Sequence, residues 1–333
     1  MSSQILDDKC VELAVIINSF NRLQLLRQAL LSIAEALQDV STLSTIIIFD
    51  AGSTDGSRDF IQAYSSKHQN PNVQCIYPKE NSDSSFSAGC NAAVKFAIDH
   101  FMNLKYCLFF ETDNLIKNNL ALPAAINLLN TESNLAAVGF TVETHKGLKA
   151  GFGCRFPTPL AFIVGQQLSQ KLGLERMRIA RWNSLQNIRW AFSDIVFTSP
   201  LLIRTKAWQD VGEMDSVKFP YSDSDNDWCW RTKKRGWQLA VIDIPGVIHD
   251  NNSQQSTWSA NRVINYHQAR FRLLLKHRGS WINYLKPVLF FRHYLEACLL
   301  FLISFKSERA WKSFHQRLIL AKNVLRGYET DSL

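Results

Sequence analysis

Thr45-Ile46-Ile47-Ile48-Phe49-Asp50-Ala51-Gly52-Ser53-Thr54-Asp55-Gly56-Ser57 is an apolar run that stops at an acid and breaks into a Gly/Ser/Asp turn. Ile46 to Phe49 suit a strand covered on both faces, as in a parallel sheet. Asp50 then falls at the strand's carboxyl end, where open α/β sheets bind ligands. Gly52 permits a tight turn, and Ser53 or Asp55 is placed to cap a helix beginning near Arg58. Taken alone, the stretch demands no more than a strand, a turn and a capped helix.

Outward from it, the same alternation repeats. Leu13 to Ile17 reads as a first strand ending in Asn18-Ser19-Phe20-Asn21-Arg22. Leu23, Leu26, Leu30, Ile33 and Leu37 follow at three- and four-residue steps, the face of an amphipathic helix. A weaker helix over 57–65, a strand over 73–77, a helix face at Val94, Ala97, Ile98, Phe101 and Met102, and a buried strand over 106–110 complete the series. Strand–helix alternation predicts an α/β fold with a doubly wound, mostly parallel sheet. From Thr144 to Arg189 glycines and prolines loosen the pattern into a long loop or lid, with a short helix over 161–172. Strands over 195–203 and 239–244 flank a turn and helix over 221–236, and the chain reads as helical beyond Ser256.

The 333 residues and 46% apolar content are enough for one large domain with an appendage. Seven scattered cysteines without a CxxC, several in apolar runs, fit free thiols in a reducing compartment. The start, MSSQILDDKC, is acidic and polar, unlike a signal peptide. No apolar run reaches the ~18 residues a spanning helix needs. The net charge of +8 is unevenly spread. Residues 262–333 hold 13 Lys/Arg against 4 Asp/Glu, and residues 145–190 hold 8 against one. A basic insertion and a basic tail on an acidic body suit an anionic surface or substrate, and plain solvated charge equally. Arg176, Arg178 and Arg181 are the insertion's candidates for meeting phosphates. The tail mixes Trp281, Tyr284, Leu289, Phe291, Leu295 and Leu299 with Arg278, Lys286, Arg292 and Lys306. That pattern fits an interfacial helix or ordinary packing. Aromatics among long aliphatics argue against base stacking and thus against nucleic acid. No GxSxG, P-loop or GxGxxG occurs, which weighs against serine hydrolases, P-loop nucleotidases and dinucleotide enzymes.

Two further acid clusters carry chemistry. Glu111 and Asp113 follow the apolar run Cys107 to Phe110, and carboxylates so placed can share a hard cation with a diphosphate. Equally, Asp113 could cap a helix over 115–129. Asp223, Asp225 and Asp227 alternate before Trp228, without the glycine and terminal glutamate of a calcium loop. One of them, best Asp225, can act as a general base toward a hydroxyl. His249 sits just past a strand and Pro245-Gly246, where a lone histidine is usually structural.

In order and spacing these pieces resemble inverting glycosyltransferases of the large family 2 type, with the GT-A fold, and especially their rhamnosyltransferase-like branch. The resemblance spans residues 11–257. It rests on the turn Asn18 to Arg22, on Asp50 to Asp55 in place of Asp-Asp-Gly-Ser-Thr-Asp, and on an Ala-Gly-x-Asn turn at Ala88 to Asn91. It rests further on Glu111-Thr112-Asp113 at the metal-binding Asp-x-Asp, on Ser224 to Asp227 at a late Glu-Asp-x-Asp, and on Trp190 to Asp215 as the acceptor-side segment. Ala51, Glu111 and Ser224 depart from the pattern. Glu111 lengthens the reach of the first acid and keeps its charge.

The expected organisation is a catalytic domain over 1–255, with 145–190 as a basic lid insertion and 256–333 as a basic amphipathic helical extension. The resemblance implies a metal-dependent hexosyltransferase that moves a sugar from a nucleotide-diphosphate donor to a glycan or lipid-linked acceptor hydroxyl. The setting would be cell-envelope polysaccharide or glycolipid synthesis. Asp225 is the implied base, and Asp113 and His249 the ligands of Mg or Mn. Ser19, Asn21, Arg22, Asp50, Ser53, Asn91, Glu111 and Thr112 would contact the nucleotide-sugar. The place expected is the cytoplasm, peripheral on the inner face of an anionic membrane. A nucleotide-sugar-binding protein without turnover is the alternative, and a sugar nucleotidyltransferase a weaker one, since Leu13 to Arg22 contains no glycine.

Overall fold

The computed structural model describes residues 10–67, 71–151, 153–175, 182–249, 260–305, 307–326 and 328. Arg176, Arg178, Arg181 and Lys306 lie outside these residues. The described residues fall into two compact units. The first is drawn from Met1–Arg155, Met177–Pro220 and Ser224–Ser253, the second from Phe156–Arg176, Tyr221–Asp223 and Gln254–Leu333.

Thirteen strands among the described residues belong to the first unit. They are β1 (Leu13–Ser19), β2 (Ser44–Asp50), β3 (Asn72–Ile76), β4 (Tyr106–Phe109), β5 (Asn114–Ile116), β6 (Leu135–Phe140), β7 (Val142–Glu143), β8 (Lys149–Gly151), β9 (Asn183–Leu185), β10 (Ile188–Ser193), β11 (Leu201–Arg204), β12 (Gln238–Asp243) and β13 (Val247–His249). Nine form one sheet in the order β3-β2-β1-β4-β11-β6-β12-β10-β9. β3, β2, β1 and β4 run parallel, β6 pairs parallel with β12, and β11 lies antiparallel between β4 and β6. The order reverses direction between β1 and β4, the switch point where such sheets open a crevice at their carboxyl ends. The apolar runs Leu13 to Ile17 and Ile46 to Phe49 are buried throughout. Leu26, Ala29, Leu30, Ile33 and Ala36 form the buried face of the helix Leu23–Ala36, as their spacing predicts.

A second sheet, β5-β13-β7-β8, matters for the site. β13 pairs antiparallel with β5 in a register that sets His249 opposite Asn114. Lys117 N–H donates to the Gly246 carbonyl at 2.8 Å, extending the same clasp. The chain after Asp113 is therefore a strand, and the helix expected over 115–129 begins only at Ala121. The capping role considered for Asp113 falls with it.

Other expectations change for physical reasons. The strand expected over 195–203 is interrupted: β10 ends at Ser193 and β11 starts at Leu201, directly after Pro200, which has no N–H for a ladder. Ala88 to Asn91 is not a turn but lies in the helix Phe86–His100, whose N-cap Ser85 accepts from Ala88 N–H. There Gly89 permits close packing, since a Cβ would collide with Asn18 and Phe49. The strand β6 carries little sequence signal, because Leu135-Ala136-Ala137-Val138-Gly139-Phe140 has no alternation and few β-branched residues.

The second unit is helical. Pro159–Val164 and Gln166–Leu172 are two helices where one was expected, broken at Gly165, whose φ of 92° no ordinary residue adopts easily. Ala260–Arg278, Lys286–Ser304 and Glu308–Leu325 follow. Phe162, Phe271, Leu274, Ile282, Leu289, Leu320 and Val324 make its core. Buried Arg270 grips Asp223 with two bonds, Nε to Oδ2 at 2.9 Å and Nη2 to Oδ1 at 3.0 Å. The basic segment 145–190 is thus divided, its stretch 156–175 grouping with the C-terminal helices.

Candidate active site

The carboxyl ends of β1, β2 and β4 gather most of the expected residues. The β1–β2 register places Ser19 beside Asp50. Asp50 is fully buried, and its carboxylate accepts from Ser53 N–H at 3.2 Å and from Arg58 Nε at 2.8 Å. Ser53 does not cap the following helix; its Oγ accepts from Asn21 N–H at 2.9 Å. Asp55 takes the end of that helix instead, accepting from Ser57 N–H at 3.1 Å, while its other oxygen accepts from Leu23 N–H at 2.8 Å. Asn21, at φ 50°, accepts from Thr54 N–H at 2.7 Å. The two turns after β1 and β2 are thus laced into one rigid rim. The Ser19 hydroxyl, 1% exposed, has no hydrogen-bond partner among the described residues.

After β4 the chain turns through Glu111 to Asn114, and the Asn114 carboxamide fixes the turn by accepting from Glu111 N–H at 2.8 Å. Glu111 accepts from the hydroxyls of Thr198 at 2.8 Å and Ser199 at 2.6 Å. Arg22 reaches across from β1, donating to Thr112 Oγ1 at 3.4 Å and lying 3.6 Å from Asp113 Oδ2. His249 Nε2 stands 3.6 Å from Asp113 Oδ1, which makes no hydrogen bond among the described residues. Ligand atoms of Glu111, Asp113 and His249 all lie within 4.8 Å of one another.

Electrostatically this cluster is under-compensated. Burial pushes the Asp113 carboxyl above its ordinary range and the Glu111 charge adds to the shift, against the opposing pull of His249 and Arg22. Two carboxylates and an imidazole at such spacing suit a hard or borderline divalent cation, and the bare Asp113 Oδ1 is the atom such an ion would satisfy. The residues therefore fit a metal.

The acids of 223–227 separate into three environments. Asp223 is held by Arg270, and Asp227 accepts from Arg231 Nε at 2.8 Å. Arg231 also binds the carbonyls of Val211 and Glu213, so that pair anchors a loop. Asp225 is half-buried at the first turn of the helix Ser224–Lys234, its Oδ1 accepting from Asn226 N–H at 2.8 Å. Burial drives the Cys90 thiol well up, and the charges of Glu111 and Asp225 add to it; both carboxylates therefore lie within electrostatic reach of one thiol. Asn91 uses both ends of its amide on the Met214 backbone, at 2.8 and 3.0 Å. Its observed contact is a scaffold contact.

Arg58, Thr198 and Ser199 were not anticipated from the sequence. Thr198-Ser199-Pro200 had a usable signal, a polar break inside an apolar run. Arg58 had none that told which acid it would meet.

Residues 14–171 match the family model for glycosyl transferase family 2. No curated protein matches the chain. Among solved structures, GalNAc-T7 with UDP, GalNAc and Mn2+ is similar at TM-score 0.55 and 12% identity, over 78% of this chain and 48% of that one. The chain thus spans about half of that protein's length. The mannosyltransferase PcManGT from Pyrobaculum calidifontis, in complex with GDP-Man and Mn2+, is similar at TM-score 0.52 and 14% identity, over 96% of this chain and 88% of that one. The fold is GT-A-like, and the family match takes in β1 to β8 of the first unit.

Proposed function

We propose that this chain is an inverting, metal-dependent glycosyltransferase that takes a sugar from a nucleotide diphosphate. The observation that carries the reading is the Glu111–Asp113–His249 cluster at the carboxyl end of β4, beside the sheet's switch point. The nucleoside would lie over the rim of Ser19, Asn21, Asp50 and Ser53, with the Ser19 hydroxyl as the unused hydrogen-bonding group. Arg22, hydrogen-bonded to Thr112, would face the diphosphate. Asn91 would act by fixing the Met214 backbone on the acceptor side.

Asp113 and His249 would hold Mg or Mn, with Glu111 steadied beside them by Thr198 and Ser199; when bound, such a cation neutralises the departing diphosphate. Asp225 takes the proton of the acceptor hydroxyl. The acceptor oxygen forms its bond to the anomeric carbon as the bond to the diphosphate oxygen breaks, and the electron pair leaves with the diphosphate. A glycan or lipid-linked acceptor in a cell-surface polysaccharide or glycolipid pathway, and a rhamnosyl donor, are the finer parts of the proposal. We place the catalytic domain within 1–255 and the helical extension over 256–333, at the cytoplasmic face of a membrane. No helix among the described residues is long and apolar enough to cross a membrane.

The experiment is a thermal-shift screen of nucleotide-sugars with and without manganese, followed by product analysis with the donor that binds. Asp225→Asn should lower transfer by roughly 10²–10⁴-fold while donor binding stays near normal. Substantial turnover in that variant would remove Asp225 as the base. Donor binding without hydrolysis or transfer by the unmodified chain would favour a binding protein.

A further inference from the structure

The second unit contains a cavity of about 1400 Å³, walled by residues 164–170, by the helix Ala260–Arg278 and by the two C-terminal helices. One wall is strongly polar. Arg292 donates from Nε to Glu296 at 3.0 Å and from Nη1 to the Phe162 carbonyl at 2.7 Å. Arg317 Nε lies 3.0 Å from Glu296, and its Nη1 stands 3.4 Å from His267 Nε2. Each arginine keeps its Nη2 without an acceptor among the described residues. Because Arg317 addresses His267 Nε2, the proton of the neutral ring belongs on Nδ1. That Nδ1, on a side chain 5% exposed, has no partner either. Gly165 makes room for the arrangement, since a Cβ there would collide with the Arg292 guanidinium.

The charge balance has a sign. Glu296 neutralises one of the two arginines, and Glu308 on the rim is paired with Lys312 at 2.7 Å. Burial holds His267 and His293 neutral by lowering their pKa values. One positive charge and the two Nη2 groups remain on one wall, the complement of a phosphate group.

The same helix supplies a second chemistry. Arg292, Glu296 and Leu300, at four-residue steps, face the cavity. One position away at each step, about 100° around the helix, stand Phe291, Leu295 and Leu299, which are 70%, 61% and 57% exposed, with Leu302 at 70%. Such a stripe is larger than scattered surface apolar residues explain. Tyr284 and Phe305 are exposed near its two ends, and Trp311, Leu168 and Ile319 line the cavity mouth with further exposed apolar surface.

We propose that the second unit binds a phosphorylated amphiphile, its phosphomonoester or diphosphate head on Arg292 and Arg317 and its hydrocarbon chain along the Phe291–Leu302 stripe. This assigns the unit a lipid site of its own, independent of the carboxylate cluster in the first unit. The net excess of 9 positive charges over residues 262–333 favours the anionic bilayer that would present such a lipid.

The test uses the full chain and vesicle flotation. Phosphatidylcholine vesicles are compared with vesicles carrying phosphatidic acid, a monoester, and with vesicles carrying phosphatidylglycerol, a diester, matched in surface charge. Retention on phosphatidic acid should exceed that on phosphatidylglycerol by about tenfold. Arg317→Gln should erase that difference. So should Gln167→Glu combined with Gln170→Glu, which adds charge at exposed positions on the cavity wall and spares the buried network. Phe291→Ser with Leu295→Ser should weaken retention on both anionic vesicles. Equal retention on the two, unmoved by the cavity variants, would mean simple adsorption and overturn the proposal. Inorganic phosphate binding as tightly as a short-chain phosphatidic acid would overturn the amphiphile, and retention on neither anionic vesicle would overturn the site.

Discussion

Each unit gathers charge at one place, and the two gatherings differ in sign. At the carboxyl end of β4, Glu111 and Asp113 lie together with one permanently charged cation, Arg22, and Asp113 Oδ1 makes no hydrogen bond among the described residues. In the cavity of the second unit, Arg292 and Arg317 outnumber Glu296, and His267 Nδ1 is left bare. Three other buried acids are matched by arginines: Asp227 has Arg231, Asp223 has Arg270, and Asp50 has Arg58. A buried polar atom without a partner costs roughly 1–3 kcal/mol, so its persistence calls for a ligand that supplies the missing charge. The contrast predicts a cation at one place and an anion at the other.

The largest effect should come from removing the bare acid. Asp113→Asn keeps the shape of the side chain and deletes its charge, so manganese affinity should fall by about 100-fold or more by calorimetry. The same change relieves a buried, poorly compensated carboxylate, so the metal-free variant should melt no lower than the parent. Unchanged manganese binding would dissolve the contrast between the units at its first term.

A smaller effect is expected from the groups that aim Glu111. Thr198→Val with Ser199→Ala removes both hydroxyl donors to Glu111 Oε1 and leaves Asp113 and His249 in place. Manganese affinity should drop roughly tenfold, the usual size of an outer-shell effect. No change would mean that Glu111 serves the loop and not the ion.

Much of this was legible in the sequence, and the limits are physical. Apolar runs closed by a polar turn located β1, β2 and β4, because a strand buried on both faces leaves few other readings for Ile46 to Phe49 or Tyr106 to Phe110. Asp113 and His249 were named as a pair only through a family resemblance. Their proximity depends on the β5–β13 register, a long-range pairing between two three-residue strands that periodicity cannot show. The same holds for Glu111, whose hydroxyl partners lie 87 and 88 residues away. Asn91 shows the reverse case, a motif residue whose amide the structure commits to Met214. In the second unit, composition revealed basic and apolar character. Which arginines share Glu296 follows from packing between helices, and no local pattern encodes it.

The smallest expected effect concerns the sign of the second unit's response to acid. Burial alone would raise the Glu296 carboxyl, but the approach of His293 and the charges of Arg292 and Arg317 outweigh it and hold it at about 2, below the ordinary 4.5. A carboxyl lowered in the folded state stabilises fully above its unfolded pKa and loses that contribution as pH falls from 4.5 toward 2. Since its side chain is 31% exposed, solvent screening limits the contribution to on the order of 1 kcal/mol. His267 and His293, lowered by burial, act in the same direction from higher pH, because the unfolded chain takes up their protons first, below about pH 6.5. Acid should therefore open the second unit in two stages, beginning below about 6.5 and deepening below about 4.5. Hydrogen exchange at amides of the buried Leu274 and Leu320, followed against those of Leu108 in β4, would resolve it. Glu296→Gln should weaken the second unit near neutrality and leave the lower stage with nothing to lose. If the variant's deficit were as large at pH 3 as at pH 7, the arginines would not be holding Glu296 ionised, and the positive excess assigned to the cavity wall would have to be recounted.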